Sequence, residues 1–505
     1  MRTRIALALL AVLAPGCART SAPAADLRVL LEADPSHLDP RIGNDQASIR
    51  LHQLLYSGLI ALDDHGLPRA ALAEDWEQED PHTYTFRLRP GLWFHDGRRV
   101  TAADVAATFE SVRTGAVPSY LRGDFDRLEA VETLDERTVR FRLREPFAPF
   151  LVRLTLGILP AGAAPEGFPP IGAGPYRLVE FRRGERVRLE AHPDHFRGAP
   201  GIRRVLLRIV PDETTRLLEL EKGTADLLMG DLSADHVARL RGNPRYRLFT
   251  GPSWKYDYLG FNLRDPLLQD PRVRRAIAHG IDRQSILAHL LHGLARPATG
   301  MVAPDHWAFE GEVATYPFDP ERARTLLDAA GYPDPDGPGP KPRLRLEYKT
   351  SNGEFARRKA AVFQEHLRKL GIELEVRALE WATFYADIRA GRFQVFSLTW
   401  TGLDDPDWYR FRFHSSSGPP DGGNRSGYRN PDLDLLLEAG ARETDPSRRR
   451  EVYSRVQKVL AEDLPEFPLW HRDEIAVVKR GIDGFRLTPT GDFAVLADLR
   501  RADGG

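Results

Sequence analysis

The chain has 505 residues, and 71 Lys and Arg against 72 Asp and Glu leave a formal net charge of −1 with histidine neutral. At ~150 residues per domain this is about three folding units, and the balanced charge provides no basic field to draw the chain onto nucleic acid or an acidic membrane. With 42% hydrophobic and 9% aromatic residues it can build real cores, which argues against disorder.

The first 17 residues predict an address. Met-Arg-Thr-Arg precedes an apolar run from Ile5 to Ala14 and then Pro15-Gly16-Cys17, the pattern of a secretory leader. The run is too short to span ~30 Å of hydrocarbon. A small residue before Cys resembles a bacterial lipoprotein cleavage box, so Cys17 is the expected lipidation site. Acyl chains contribute ~0.8 kcal/mol per buried CH2, enough to anchor the chain. Cys17 is also the only cysteine, which excludes intramolecular disulfides, Cys-based zinc sites and iron–sulfur clusters. Residues 18–26 read as a flexible tether.

Beyond the tether, Leu27 to Leu31 is a short strand, and residues 48–61 carry apolar positions at helical spacing, ending at Ser57-Gly58. Thr83 to Leu88 and Thr138 to Leu143 alternate as half-buried strands. Thr101-Ala-Ala-Asp104 opens a helix to about Arg113 as a capping box. Arg204 to Val210 is a strand, and Asp212 to Lys222 is a helix closed by Gly223. Two short helices broken near Gly280 fill 272–291. A helix over 321–330 precedes the Pro- and Gly-rich loop 333–342. Strand 344–348, helix 354–370 and strand 372–376 follow, and the helix–Gly–strand order recurs over 382–399. A helix over 448–462 and a strand over 475–479 come last. Alternating strands and helices predict an α/β architecture with helix-covered sheets.

No catalytic constellation emerges. His95-Asp96-Gly97 has the composition of a hairpin turn. His289 and His292 lack a third ligand for a metal. The Asp334-Pro-Asp336 stretch places Arg345 where a calcium loop needs Glu. Gly172-Ala-Gly174 lacks the third glycine of a dinucleotide site. A cation site is better supported. Strand 393–399 runs into a loop that gathers Asp404, Asp405 and Asp407 among Trp400, Trp408 and Tyr409. Carboxylates there can make charge-assisted hydrogen bonds to an ammonium, and rings add cation–π attraction.

Several ordered segments resemble the bacterial extracellular solute-binding proteins of family 5, the peptide- and nickel-binding components of ABC transporters. They are Leu38-Asp-Pro40, Tyr56-Ser-Gly-Leu59, Leu72-Ala-Glu-Asp-Trp76, and Tyr84 to Gly97 followed by Thr101-Ala-Ala-Asp-Val105. Later come Gly172-Ala-Gly-Pro-Tyr176, Gly223-Thr-Ala-Asp226, Val273-Arg-Arg-Ala-Ile277, Ala329-Ala-Gly-Tyr332 and Asp404-Asp-Pro-Asp407.

The resemblance implies a two-lobed periplasmic-binding-protein fold (type II, the large class with an extra subdomain) and a ligand cleft between the lobes. Lobe Ia is expected at 27–45, 171–262 and 485–505, subdomain Ib at 46–170 and lobe II at 263–484. An Asp of the acidic loop, Asp405 by alignment ahead of Asp404 and Asp407, would pair with a ligand amino group. Trp400, Trp381, Tyr256 and Tyr258 would line the cleft, and Asn424 with Tyr428 would brace the loop.

The function so implied is that of an extracytoplasmic, lipid-anchored receptor that passes peptides or a similar solute to ABC permease subunits. It would act as a monomer, with no cofactor, metal or nucleic acid and no bond-making chemistry. The rivals are an extracytoplasmic hydrolase, for which no nucleophile–base set is present, and a sensory binding protein.

Overall fold

Leu27–Leu31 is apolar at four of five positions, and those four are buried, so the segment belongs inside a sheet covered on both faces. In the computed structural model, which describes residues 26–502 except 231, 338 and 421, it lies between parallel neighbours Arg204–Ile209 and Leu227–Met229. The leader, Cys17 and nearly all of the tether lie outside the described residues. Arg204–Ile209 then pairs with a hairpin, Tyr176–Arg182 and Arg186–Ala191, that the sequence patterning does not reveal.

The helix expected to end at Ser57-Gly58 runs over Gln46–Leu55, capped by the Asp45 side chain. Its end is fixed by close packing against Gly172 and Gly174. A Cβ on Gly172 would lie 2.1 Å from the Leu55 carbonyl oxygen, and one on Gly174 would lie 2.4 Å from the Leu55 carbonyl carbon. The Gly-Ala-Gly segment is therefore a docking surface for a helix terminus, and Ile60–Leu62 departs from it as a strand.

Residues 73–143 form a separate four-stranded antiparallel sheet in the order 73–80, 83–88, 138–143, 128–133. Phe86, Phe109, Phe125, Phe141 and Phe150 fill one face of it in edge and tilted ring contacts. Ala102–Arg113 covers that core. Its capping box forms as expected, with the Thr101 backbone N–H donating to Asp104 Oδ2 at 2.8 Å. The His95 turn is also a hairpin connection, with Phe94 and Arg98 paired across it and Gly97 at φ +83°.

One eleven-stranded sheet runs through the rest of the molecule. Two long antiparallel strands, Tyr246–Phe261 and Glu466–Lys479, carry it from one half to the other. Their first and last residues pair beside Leu227–Met229, and their opposite ends lie beside Val395–Trp400. Register is lost midway. Pro252 pairs with Asp473 and Tyr256 with His471, so Ser253, Trp254 and Lys255 face Arg472 alone. Such a bulge bends and twists its strand, and here it falls where the two halves meet. Glu466–Lys479 thus passes from one half of the sheet to the other, with Arg472 opposite the bulge.

In the second half, Leu344–Ser351 is parallel to Ile372–Leu379 and to Val395–Trp400, with helices Glu354–Arg368 and Trp381–Arg389 between them. Strand directions fix the geometry of the seam. Leu27–Leu31 and Leu227–Met229 run the same way as Tyr246–Phe261, toward the second half, whereas Val395–Trp400 runs back toward the first. The carboxyl ends of both sets of parallel strands thus face each other, and crevices at such ends are where open α/β sheets bind ligands. Among the described residues no helix is long and apolar enough to cross a membrane.

Candidate functional site

Trp400 is the last residue of its strand and pairs with Tyr256 of the crossing strand. The chain then turns through Gly402, at φ +69°, into the acidic loop and the short helix Trp408–Phe413. The loop sits at the seam.

Its three carboxylates are not equivalent. Asp405 is clamped by Arg449 of helix Pro446–Asp463, with Nη2 donating to Oδ1 at 2.6 Å and Nη1 to Oδ2 at 2.9 Å, and it also accepts the Asp407 backbone N–H at 2.7 Å. Burial works to raise its carboxyl, but the charge and hydrogen bonds of Arg449, the Asp407 N–H and the charge of Arg153 together hold it below the usual carboxylate range. Asp407 takes Arg410 on both oxygens, at 2.7 to 3.1 Å.

Asp404 accepts only the Trp408 indole N–H, at 3.0 Å on Oδ1, and its second oxygen takes no hydrogen bond from the described residues. Burial pushes the Asp404 carboxyl above its ordinary range, partly offset by the charge of Arg153. Arg153 comes from the opposite side of the seam. It is held by Asp124 at 2.7 Å and lies in the field of Asp404, Asp405 and Asp407. Asp405, first choice on alignment, is therefore committed to an internal ion pair, and Asp404 is the carboxylate with accepting capacity to spare.

The remaining sequence-predicted residues separate into two groups. Trp381 opens helix Trp381–Arg389, is 54% exposed, and stacks on Tyr385 at 5.8 Å. Trp400 meets Trp408 at 6.0 Å and Phe411 at 6.2 Å. These rings are available at the seam. Tyr256 and Tyr258 are buried and stacked on each other at 5.7 Å, and the Tyr256 hydroxyl donates to Glu466 at 2.9 Å, so they form the floor behind Trp400. Asn424 spends its amide on the backbone carbonyls of His414 and Tyr428, 3.1 and 2.8 Å away. Those bonds tie the end of the short helix to the segment that follows it.

Sequence reading missed the arginines. Arg412 pairs with Glu466 and lies over Tyr258 and Trp400; Arg425 lies over Tyr385 and Trp400. In a chain where basic residues are almost all Arg, no single one stands out. The available signal is that both flank the Asp404–Asp407 loop within 20 residues.

The two halves touch across the seam. The Ala148 N–H donates to the Ala441 carbonyl at 2.8 Å, the Trp307 N–H to the His65 carbonyl at 3.2 Å, and Arg358 pairs with Asp235 at 2.8 Å. Beside the first of these contacts a cavity of about 190 Å3 remains, bounded by Arg127, Glu145 and Phe147 on one side and Arg410, His414 and Glu438 on the other. The halves thus touch directly at these points.

Residues 68–421 match the profile of the bacterial extracellular solute-binding proteins, family 5. The chain belongs to that family. A di/tripeptide-binding protein 2 of Pseudomonas aeruginosa is 30% identical over 97% of this chain and 98% of its own length. Heme-binding protein A of Haemophilus influenzae is 27% identical over 83% of this chain and 82% of its own. Among solved structures, a dipeptide-binding protein of a Pseudoalteromonas species, in complex with Met-Leu, superposes with a TM-score of 0.80 at 26% identity, covering 94% of this chain and all of the other. The two-lobed fold and the role of an extracytoplasmic solute-binding component of an ABC importer follow from this membership.

Proposed function

We propose that this receptor captures short peptides, seating the ligand's α-ammonium on Asp404, and that the loaded closed form is what the permease receives. The observation that carries the reading is the unshared Asp404 oxygen: a half-buried carboxylate, its carboxyl raised by partial desolvation, beside Trp408 and Trp400 at the seam. A partly desolvated carboxylate gains most from an ammonium that brings both charge and donors. Relatives named for di- and tripeptides support the same class of ligand.

In this reading the chain makes and breaks no covalent bond. Residues 46–170 move with the first half, Ser253–Lys255 form the flexing bulge, and Trp381 and Trp400 meet ligand side chains. Cys17 carries the lipid, 18–26 tether the receptor, and it works as a monomer.

The test is a thermal-shift panel of free, N-acetylated and C-amidated di- and tripeptides. Binding to the native state alone raises the melting temperature by mass action. Free peptides are expected to raise it and N-acetylated ones to fail. A panel in which no peptide shifts the transition refutes the reading.

A further inference from the structure

His306 touches three parts of the molecule at once. Its ring is buried, and its loop follows Met301 and Val302, which belong to a core of the second half. On one side it meets Trp254, in the bulge of the crossing strand Tyr246–Phe261, edge to face at 5.2 Å. On another lies Gly66, in the turn between strands Ile60–Leu62 and Pro68–Ala70, and Ile60 of that hairpin packs into the core of the four-stranded sheet. A Cβ on Gly66 would stand 2.8 Å from His306 Nε2 and 3.4 Å from the Asp404 carbonyl oxygen, so the turn abuts the imidazole and the acidic loop together. Its φ of +84° is one that glycine adopts without strain.

Neighbours fix the protonation of the ring. Nδ1 accepts the Ala308 N–H at 3.2 Å, which leaves the proton on Nε2, facing the Asp404 carbonyl oxygen at 3.4 Å. Burial lowers the imidazole to about 4, so near neutral pH it is uncharged and keeps this tautomer. Trp254 is buried and its Nε1 has no acceptor among the described residues, so packing against His306 orients the indole. The Gly66 turn is stiffened by its own bonds, with Asp63 Oδ1 accepting the His65 and Leu67 N–H groups at 2.8 and 2.9 Å. Its His65 Nδ1 lies 3.0 Å from the Asp305 carbonyl oxygen, beside the imidazole in sequence.

We propose that His306 is a positioning residue that couples the seating of ligand at Asp404 to the meeting of the two halves. Between Gly66 and the Asp404 carbonyl there is no room for even a methyl group, so a shift of the acidic loop is passed to the imidazole and the turn. The imidazole in turn sets how the Trp254 indole lies in the bulge. Close-packed contacts of this kind switch between discrete arrangements and do not deform continuously. The trigger rests on the Asp404 reading above; the link among bulge, turn and loop does not. Contiguity alone does not establish coupling, and a double-mutant cycle measures it.

A dipeptide titrated by calorimetry into full-length wild type, His306→Leu, Gly66→Ala, the double variant and His306→Gln supplies that cycle. His306→Leu and Gly66→Ala are each expected to weaken binding about tenfold, a typical strength for coupled sites. Both disrupt one contact, so the double variant should be weakened no further. His306→Gln, whose amide keeps a donor and an acceptor, should recover most of the affinity. Losses that add to about 100-fold in the double variant, or a His306→Leu receptor that binds as wild type does, overturn the proposal.

Hydrogen exchange on the ligand-free protein needs no binding. His306→Leu is expected to speed exchange at the Trp254, Gly66 and Trp408 N–H groups, which hydrogen-bond within the bulge, the turn and the acidic loop respectively. Faster exchange confined to residues 303–309, as a purely local packing role would give, overturns the proposal. If no peptide binds wild type, the Asp404 reading falls, and the exchange pattern alone decides whether His306 links the three segments.

Discussion

Arg449 and Asp405 form a two-pronged ion pair, 2.6 and 2.9 Å, in which both side chains are almost wholly buried. The pair ties helix Pro446–Asp463 to the acidic loop. Removing one partner would leave the other charged and unsolvated, which costs about 3–5 kcal/mol. Asp405→Ala is therefore expected to lower the chemical-denaturation stability by that amount, with the loss seen in the absence of any ligand.

Asp404→Asn should behave oppositely. Its carboxyl is raised by burial and has no ionic clamp, so neutralising it should leave the melting temperature unchanged or slightly higher. Affinity for a free peptide should fall about 10- to 100-fold. Calorimetry and thermal melts on the two variants separate a structural aspartate from a binding one.

The same raised carboxyl sets a pH dependence on binding. An ammonium is held by the ionised Asp404 only. As pH falls, Asp404 protonates earlier than an ordinary carboxyl, so peptide affinity should decline at a higher pH in wild type than in a receptor anchored by an unperturbed Asp. Affinity measured at fixed ionic strength from pH 8 to pH 4 checks this. In Asp404→Asn the decline should disappear.

Buried histidines set a separate acid limit on stability. Burial lowers His52, His95, His195, His306 and His471 to about 4. In the unfolded chain such rings titrate near 6.5. Between those values the unfolded chain binds protons that the folded one refuses, so stability is complete above about pH 6.5 and is lost as pH falls toward 4, by about 3 kcal/mol per ring. Urea midpoints should be flat above pH 7 and drop steeply below 6.5. His95→Gln, at the His95–His192 contact of 5.0 Å, should lessen the slope.

Much of the fold was legible because it is local. The strand at 83–88 alternates, the helix at 102–113 carries its own capping box, and Gly223 takes the positive φ of +76° that a helix terminus needs. The Ser57-Gly58 stop of the 46–55 helix was readable, but its packing against Gly172 and Gly174, 116 or more residues away in sequence, was not. The second crossing strand was read only from Ile475 because its earlier half, Glu466 to Asp473, mixes charged and apolar residues without clean alternation.

At the site, residue types and loop position were readable, but partner choice was not. Asp404, Asp405 and Asp407 are chemically alike in sequence, and only the arrival of Arg449 from a helix some 40 residues on makes Asp405 structural.

Closure can be tested by a cross-link. The Ala148 N–H to Ala441 carbonyl bond brings the two halves within backbone contact at 2.8 Å. In a receptor whose Cys17 is replaced, Ala148→Cys with Ala441→Cys should oxidise to a disulfide faster when a peptide is present, because ligand raises the closed population. Urea, which abolishes the fold, should abolish the rate difference.

The most direct measurement is calorimetric titration of one dipeptide and its N-acetyl form into wild type and Asp404→Asn. The expected result is a single site for the free dipeptide, with a negative heat-capacity change from apolar burial against the indoles, and at least tenfold weaker binding when either the ammonium or Asp404 is removed. Equal affinity for free and acetylated dipeptide, or an Asp404→Asn receptor that binds as wild type does, would contradict it.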